Sequence, residues 1–278
     1  MKSFSKWLCF FRALLTAIGI IWLFIESYEG ITNQELDLSY KDFLLSSTLL
    51  GLLLFFADGL FLEGFFKNEI VISSNSFDTK ISVLFGDFFD QKGWKAIGVN
   101  DCFDDIVDDI IVSSKSLHGQ VIQKFWGGNS GNWRNQVDTA LSQTPFTTIT
   151  RNPGRTRRYE IGTTATAIVN ENKFLFVALG RTDETTHRTS ATAEDLIKAV
   201  RGLLVKARNS CSNETIYIPL LGSGLARIGI KNAILVDLIL TAVFEETKQG
   251  KVSNSIKIVL PKDKKPEIDL GSIYQDWK

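Results

Sequence analysis

Ile216-Tyr217-Ile218-Pro219-Leu220-Leu221-Gly222-Ser223-Gly224-Leu225-Ala226 reads as a buried strand running into a glycine turn, with a helix following from about Gly229. Two glycines separated by one residue let backbone N–H groups approach an anion without a Cβ in the way. A helix starting just beyond adds the positive end of its dipole. The stretch reads as a cradle for a phosphate or diphosphate. It reads more readily as a tight strand-to-helix turn with no ligand, since a lone Gly-x-Gly is a short motif with many false matches.

The pattern on either side fixes the kind of domain that holds this turn. Short runs rich in Ile and Val at Glu69–Ser73, Ile81–Phe85 and Lys95–Val99 predict strands. Glu160–Val169 and Phe174–Leu179 predict a hairpin around Asn170-Glu171-Asn172, and Thr215–Leu220 and Ile256–Leu260 two further strands. Leu196, Ala199, Val200, Leu203, Leu204 and Ala207 repeat at helical spacing, with Thr192 and Asp195 placed to cap the helix. A second helical pattern begins at Ile230, Ala233 and Ile234. The expected fold is a mixed α/β domain, whose ligands usually sit at the carboxyl ends of the strands.

Several of those ends are polar. Asp87 can accept from an adenine amino group with Phe88 against the ring, or it can simply cap a turn. Asn100 can donate to a ribose hydroxyl or make an Asx turn. Ser116, Leu117, His118 and Gly119 can open a helix toward a phosphate or serve as plain N-capping. With Gly222, Ser223, Gly224, Leu225 and Ala226 they form a nucleotide-sized constellation. In the basic run Arg151–Arg158, Arg151 and Arg155 are candidates for gripping a carboxylate or phosphate, against a solvated loop. His187 reads as a loop residue.

Composition shifts near residue 67. Ten of the twenty phenylalanines precede Lys67, and residues 1–66 carry four basic against seven acidic side chains. The formal net charge is zero and neither part is strongly basic, so nucleic acid is not an expected partner. Three distant cysteines and two histidines predict neither a disulfide framework nor a metal cluster. Trp7–Ile25 and Phe43–Phe66 are apolar runs of membrane-spanning length, interrupted by Arg12 in the first and by Asp58 and Glu63 in the second. Lys2, Lys6 and Arg12 before the first and Lys67 after the second, with an acidic connector between, predict both ends inside. A signal peptide or a soluble core hairpin competes, but no small-x-small cleavage site lies near Glu26–Gly30. Asp58 and Glu63 fit an interfacial position or a polar face in an assembly. The expected organisation is a two-helix transmembrane hairpin over residues 1–66 and a soluble domain over 67–278.

Gly86-Asp87-Phe88, Ala96-Ile97-Gly98-Val99-Asn100 and Ile218–Gly224 together resemble the macro domain, an ADP-ribose-binding family with a mixed sheet between helices. The resemblance covers roughly residues 70–262. It implies adenine contact at the first stretch, distal-ribose contact at the second, and contact with the diphosphate and distal ribose at the third. The stretches Ile97–Asp104, Ser113–Gly119 and Tyr159–Thr164, with two spans upstream, further resemble the membrane-anchored macro proteins of bacterial Thoeris anti-phage systems. That resemblance implies a sensor-effector of the inner membrane with both termini and the macro domain cytoplasmic. A TIR-domain partner would make from NAD an ADP-ribose-type signal, such as histidine joined to ADP-ribose. Its binding would drive homo-oligomerisation of the hairpins, membrane disruption and abortive infection. No separate cofactor is implied. Hydrolases of the macro family carry a second Asn where this chain has Phe103, and a Val-Asp-Gly where it has Leu117-His118-Gly119. Binding without catalysis is therefore expected, with a membrane-tethered ADP-ribosyl hydrolase or a pure membrane scaffold as the competing classes.

Overall fold

The computed structural model describes residues 2–62, 67–72, 79–128, 130–224 and 228–277, with backbone only for 2–6 and 62. Contacts divide the chain into two compact units, Met1–Asn68 with Asp269–Gln275, and Glu69–Ile268 with Asp276–Lys278.

The first unit contains helices α1 (Lys2–Thr32) and α2 (Tyr40–Ala57), α2 running on as one wider turn over Asp58–Leu62. Ser39 caps α2 by accepting from the Lys41 amide. Phe10 meets Phe55 and Trp22 meets Phe43, so the two helices are antiparallel. Their seam is made of small residues, with Ala13, Ala17, Ser47 and Gly51 all buried, which brings the backbones close. Trp7, Phe11, Leu15, Leu49 and Leu53 are exposed on the outer faces. Trp7–Thr32 and Tyr40–Phe61, 26 and 22 residues, are long and apolar enough to cross a membrane. The first exceeds the expected Trp7–Ile25. The end of the expected second span, with Glu63, lies outside the described residues. Asp58 faces the partner helix: Arg12 Nη2 donates to its Oδ2 at 2.6 Å.

The second unit begins with β1 (Glu69–Ile72), β2 (Lys80–Phe85) and β3 (Trp94–Asn100). Helices α3 (Leu117–Trp126) and α4 (Ser130–Ala140) and a two-residue pair, β4 (Thr147–Thr148) with β5 (Arg157–Arg158), come next. Strands β6 (Thr164–Val169), β7 (Asn172–Thr182) and β8 (Thr189–Ser190) precede α5 (Ala193–Ser210) and β9 (Ile216–Pro219). Then come α6 (Asn232–Gln249) and β10 (Ser255–Leu260). The last helix, α7 (Leu270–Trp277), belongs up to Gln275 to the first unit. The sheet order is β1-β2-β10-β9-β3-β7-β6. The five inner strands, β2 to β7, are mutually parallel; β1, β6 and the short β8 pair antiparallel at the margins. The five parallel strands therefore present all their carboxyl ends on one edge.

The expected strands are all present, with β7 extending three residues beyond Leu179 and β6 starting at Thr164 rather than Glu160. The expected helix over Leu196–Ala207 is α5, with a reciprocal cap between Thr192 and Asp195. The helix expected from about Gly229 begins instead at Asn232, and Lys231 at its N-cap makes no side-chain cap bond.

Helices α3 and α4 cover one face of the sheet through an aromatic core. Trp133 and Phe176 meet edge to face at 5.1 Å, and Trp126 and Phe125 pack on Phe174. His118 is enclosed in the same packing, 5.2 Å from the Trp133 ring. Burial pushes its imidazole pKa down to about 3, against the pull of the Asp105 carboxylate. Helix α5 packs on β7 and α6 through buried Leu196, Leu203 and Leu204. It runs so close to the Gly162 turn that a Cβ on Gly202 would strike the Gly162 carbonyl.

Two outcomes follow from this packing. Ala is the better helix former by roughly 1 kcal/mol, yet Gly202→Ala destabilises the protein by about 1–3 kcal/mol because backbone must yield to the methyl; urea unfolding of the full chain in detergent measures it. An unfolded histidine takes its proton near pH 6.5, whereas His118 in the fold does not until about pH 3. Its contribution to stability is therefore full above 6.5 and falls as pH drops, by about 2 kcal/mol at pH 5. His118→Phe removes that share of the acid sensitivity when unfolding midpoints at neutral and mildly acid pH are compared.

Candidate functional site

A cleft of about 1060 Å³ runs along the edge formed by the carboxyl ends of the parallel strands. After β2, Gly86, Asp87 and Phe88 line it. Pro219 to Gly224 line it after β9, Gly98 to Asn100 at the end of β3, and Ser116, Leu117 and His118 at the opening of α3. The structure thus gathers into one cleft Asp87, Phe88, Asn100, Ser116, Leu117, His118, Gly222, Ser223 and Gly224. Leu225 and Ala226 lie outside the described residues.

The local geometry of each refines its expected role. Asp87 Oδ1 accepts from the Phe89 amide at 2.8 Å, so this carboxylate closes its own turn while remaining exposed. Phe88 is buried, with one side in the aromatic core and the other at the cleft. Gly222 has φ +83°, and a Cβ there would strike Ile228, so glycine is required for the turn. Ser223 Oγ donates to the Leu220 carbonyl at 2.7 Å and fixes the same turn. Gly224 opens onto free space. Ser116 is the N-cap of α3: its Oγ accepts from the Gly119 amide at 3.0 Å and donates to the Ser113 carbonyl at 2.6 Å. Gly119 is not on the cleft wall. Its amide is used in that cap, and a Cβ would run into the Ser113 carbonyl, so its role is to let α3 start close to the preceding loop. His118 lines the cleft with Nε2 buried and without a hydrogen-bond partner among the described residues.

Asn100 is held rather than free. Its Nδ2 donates to Asp104 Oδ2 at 2.6 Å and its Oδ1 accepts from the Asp104 amide at 3.0 Å. Asp104 in turn anchors Arg151 and Arg155, the candidates for gripping a carboxylate or phosphate, and neither of these lines the cleft. Arg151 is fully buried, with Nη1 2.8 Å from Asp104 Oδ2. The Arg155 amide donates to Asp104 Oδ1 at 2.7 Å, and its guanidinium reaches the Phe103 carbonyl and Asp138. The physical reason is the buried run Asp101, Asp104 and Asp105, which needs counter-charges inside the fold. Arg158 supplies Asp101 at 3.1 Å and Arg134 supplies Asp105 at 2.8 Å. Burial still pushes the Asp101 carboxyl above its ordinary range, against hydrogen bonds from Thr182 and the Arg158 charge. Burial first, then Asp101 and Asp104, pushes the Cys102 thiol up to about 12, which leaves it protonated and unreactive.

Phe103 does not face the cleft. It takes φ +51° and is buried edge to face against Tyr159 at 5.5 Å. Among the described residues no group of three or more His, Cys, Asp or Glu is placed to hold a metal ion. Sequence reading missed the loop Asp109–Ser113, Lys115, Thr186–Thr189 and Lys262, all on the cleft wall. Asp109 is kept charged by the Ser114 amide and hydroxyl, which hold its carboxyl below the usual range. Lys262 follows β10 and so obeys the strand-end rule; His187, read as a plain loop residue, lies on the wall because β7 is longer than its apolar run.

Comparison with known proteins agrees with this geometry. The family described as "Thoeris protein ThsA, Macro domain" matches residues 81–261. The Thoeris protein ThsA of Bacillus amyloliquefaciens (strain Y2) is 26% identical over 238 residues, 81% of this chain and 72% of that protein. The Oceanobacillus iheyensis macrodomain with ADP superposes with a TM-score of 0.50 at 12% identity, over 76% of this chain and 95% of its own. A point mutant of it with ADPR gives 0.50 at 13%, over 75% and 95%. At such identities the solved structures speak for the fold alone, a mixed α/β macrodomain fold. The strand-end cleft, the glycine turn beside it and the family match over most of the second unit lead to one assignment: this chain belongs to the Thoeris ThsA macro-domain family.

Proposed function

We propose that the cleft binds an ADP-ribose-derived signal and that the protein is a membrane-anchored effector of anti-phage defence. The observation that carries this reading is the meeting, in one cleft, of the Gly222–Gly224 turn, the N-terminus of α3 and the ends of β2 and β3. The turn and the helix end offer backbone N–H groups and a positive dipole end to a diphosphate. Asp87 and Phe88 suit an adenine at one end, and Asn100 a ribose hydroxyl at the other. Asn100 would exchange its bond to Asp104 for one to the ligand.

The proposed role is sensing rather than catalysis. Phe103 is a core side chain, and Leu117-His118-Gly119 brings no carboxylate to the opening of α3. His118 is neutral at physiological pH, and its Nε2, without a hydrogen-bond partner among the described residues, would be a polar contact for the ligand. The signal would be made from NAD by a TIR-domain partner, with an amino acid such as histidine attached to ADP-ribose. The two apolar helices would cross the inner membrane with both ends in the cytoplasm, following the basic residues at their flanks. Ligand binding would favour an oligomer of hairpins that damages the bilayer and ends the infected cell's growth. A ligand drives such a change only through its preference for the assembled state.

Calorimetry on the full chain in detergent gives saturable binding of ADP-ribose or its histidine derivative; no heat with either overturns the reading. Gly224→Glu places a carboxylate in the open turn, so the fold tolerates it and affinity falls by at least about tenfold with an unchanged melting temperature. Incubation with an ADP-ribosylated protein leaves the modification in place over hours, whereas its release would show the hydrolase instead.

A further inference from the structure

The sheet ends at β6, which pairs with β7 and, among the described residues, with no other strand. The register sets Ala165 opposite Phe176 and Ala167 opposite Phe174, and both alanines belong to the aromatic core. The Ile168 amide points away from β7, donating to Gln136 Oε1 of α4 at 2.8 Å. Backbone direction alternates along an antiparallel strand. The amides and carbonyls of Thr164 and Thr166 therefore face outward with that of Ile168. Gln136 stands where the carbonyl of a neighbouring strand would. The amide and carbonyl of Thr166 make no hydrogen bond to another element among the described residues.

This edge lacks the usual protection. Charge, proline or a bulge blunts most exposed sheet edges. Thr164-Ala165-Thr166-Ala167-Ile168-Val169 has no charge and no proline, its register with β7 is continuous, and four of its residues are β-branched. Ile168 is 48% exposed. A groove of about 440 Å³ lies along it, lined by Asn135, Gln136, Thr139, Ala140, Thr166 and Ile168 among others, with no charged side chain.

The strand is also its own complement. Its outward groups are centred on Thr166. About a twofold axis through that residue, a second β6 meets the first antiparallel, with Thr166 opposite Thr166 and Thr164 opposite Ile168. Every outward residue then faces an outward residue, and the exposed Ile168 gains a β-branched neighbour. An uncharged edge asks for an uncharged strand, and a copy of itself supplies one in register. We propose that β6 is the surface on which two copies of this chain pair, Gln136 yielding the Ile168 amide to the second strand. Six residues make a small interface. On the membrane-anchored reading above, on which this inference rests, copies held in one bilayer reach the local concentration that such an edge needs. A twofold contact closes on itself and yields pairs, nothing larger.

The test is oxidative cross-linking of the full chain in lipid vesicles, in a Cys9→Ser background, since Cys102 and Cys211 are buried. Flotation first checks that the chain is membrane-bound; a chain that does not float overturns the anchored reading and the pairing with it. In the proposed register Thr166 lies about 5.5 Å from its copy, Cα to Cα, within the span of a disulfide. Ile168 and its copy stand about 13 Å apart along the strands. Thr166→Cys therefore gives at least about tenfold more disulfide-linked dimer than Ile168→Cys. Adding Ile168→Lys to Thr166→Cys lowers the dimer about tenfold without changing the melting temperature. Adding Gln136→Ala raises it, because the edge amide is released; a merely structural glutamine would leave it unchanged. Floating chain with no Thr166→Cys dimer, equal yields from the two cysteine variants, or a dimer that Ile168→Lys leaves intact overturns the pairing and leaves the anchored reading standing.

Discussion

The ion pair between Asp104 and Arg151 holds the second unit's binding edge together. Both side chains are essentially out of reach of water. Breaking one partner of such a pair leaves a buried charge and costs about 3–5 kcal/mol. Asp104 also fixes both ends of the Asn100 carboxamide and accepts from the Arg155 amide. Through Asp101 and Asp105 the same segment ties to Arg158, Thr182 and Arg134. The chain leaving β3 is thereby clamped by residues from α4, β5 and β7. The direction of Asn100, the rise of the β7–β8 turn and the seat of the Arg151–Arg158 segment are set together.

This clamp explains where sequence reading stopped. Local pattern resolves features that one segment decides alone. The apolar strands, the Thr192 cap of α5 and the two long apolar helices were legible because each depends on near neighbours. The Gly222–Gly224 turn was legible because its positive-φ position, Gly222, favours glycine. Arg151 and Arg155 misled because a basic run looks the same whether its charges face water or carboxylates elsewhere in the chain, Asp104 for Arg151 and Asp138 for Arg155, 47 and 17 residues earlier. Gly119 misled because its need for a missing side chain arises from the Ser113 carbonyl rather than from a ligand. The wall formed by Thr186–Thr189 was invisible because its place depends on Thr182 reaching Asp101, 81 residues away. Periodicity carries no trace of such pairings.

The parallel arrangement has a further effect on the cleft. Five strands deliver their ends to one edge, so each contributes a short loop and none has to build a site alone. Asp87, Lys262, Ser223, Asn100 and Arg188 come from five separate loops on one rigid sheet. The sheet fixes their spacing, and each loop remains free to vary chemically.

The seam of the N-terminal hairpin has its own implication. Ala13, Ala17, Ser47 and Gly51, the residues that permit close helix contact, are all used inside one chain. Most of what faces outward is bulky, Trp7, Phe11, Leu15, Leu49 and Leu53, with the smaller Thr16, Gly19 and Thr48 exposed among them. Lipid tails solvate such surfaces as well as another helix does, so no hydrophobic force draws two hairpins together in a bilayer. On the proposed reading, lipid exclusion alone would not gather the hairpins, and the ligand bound by the second unit would have to set how many copies meet.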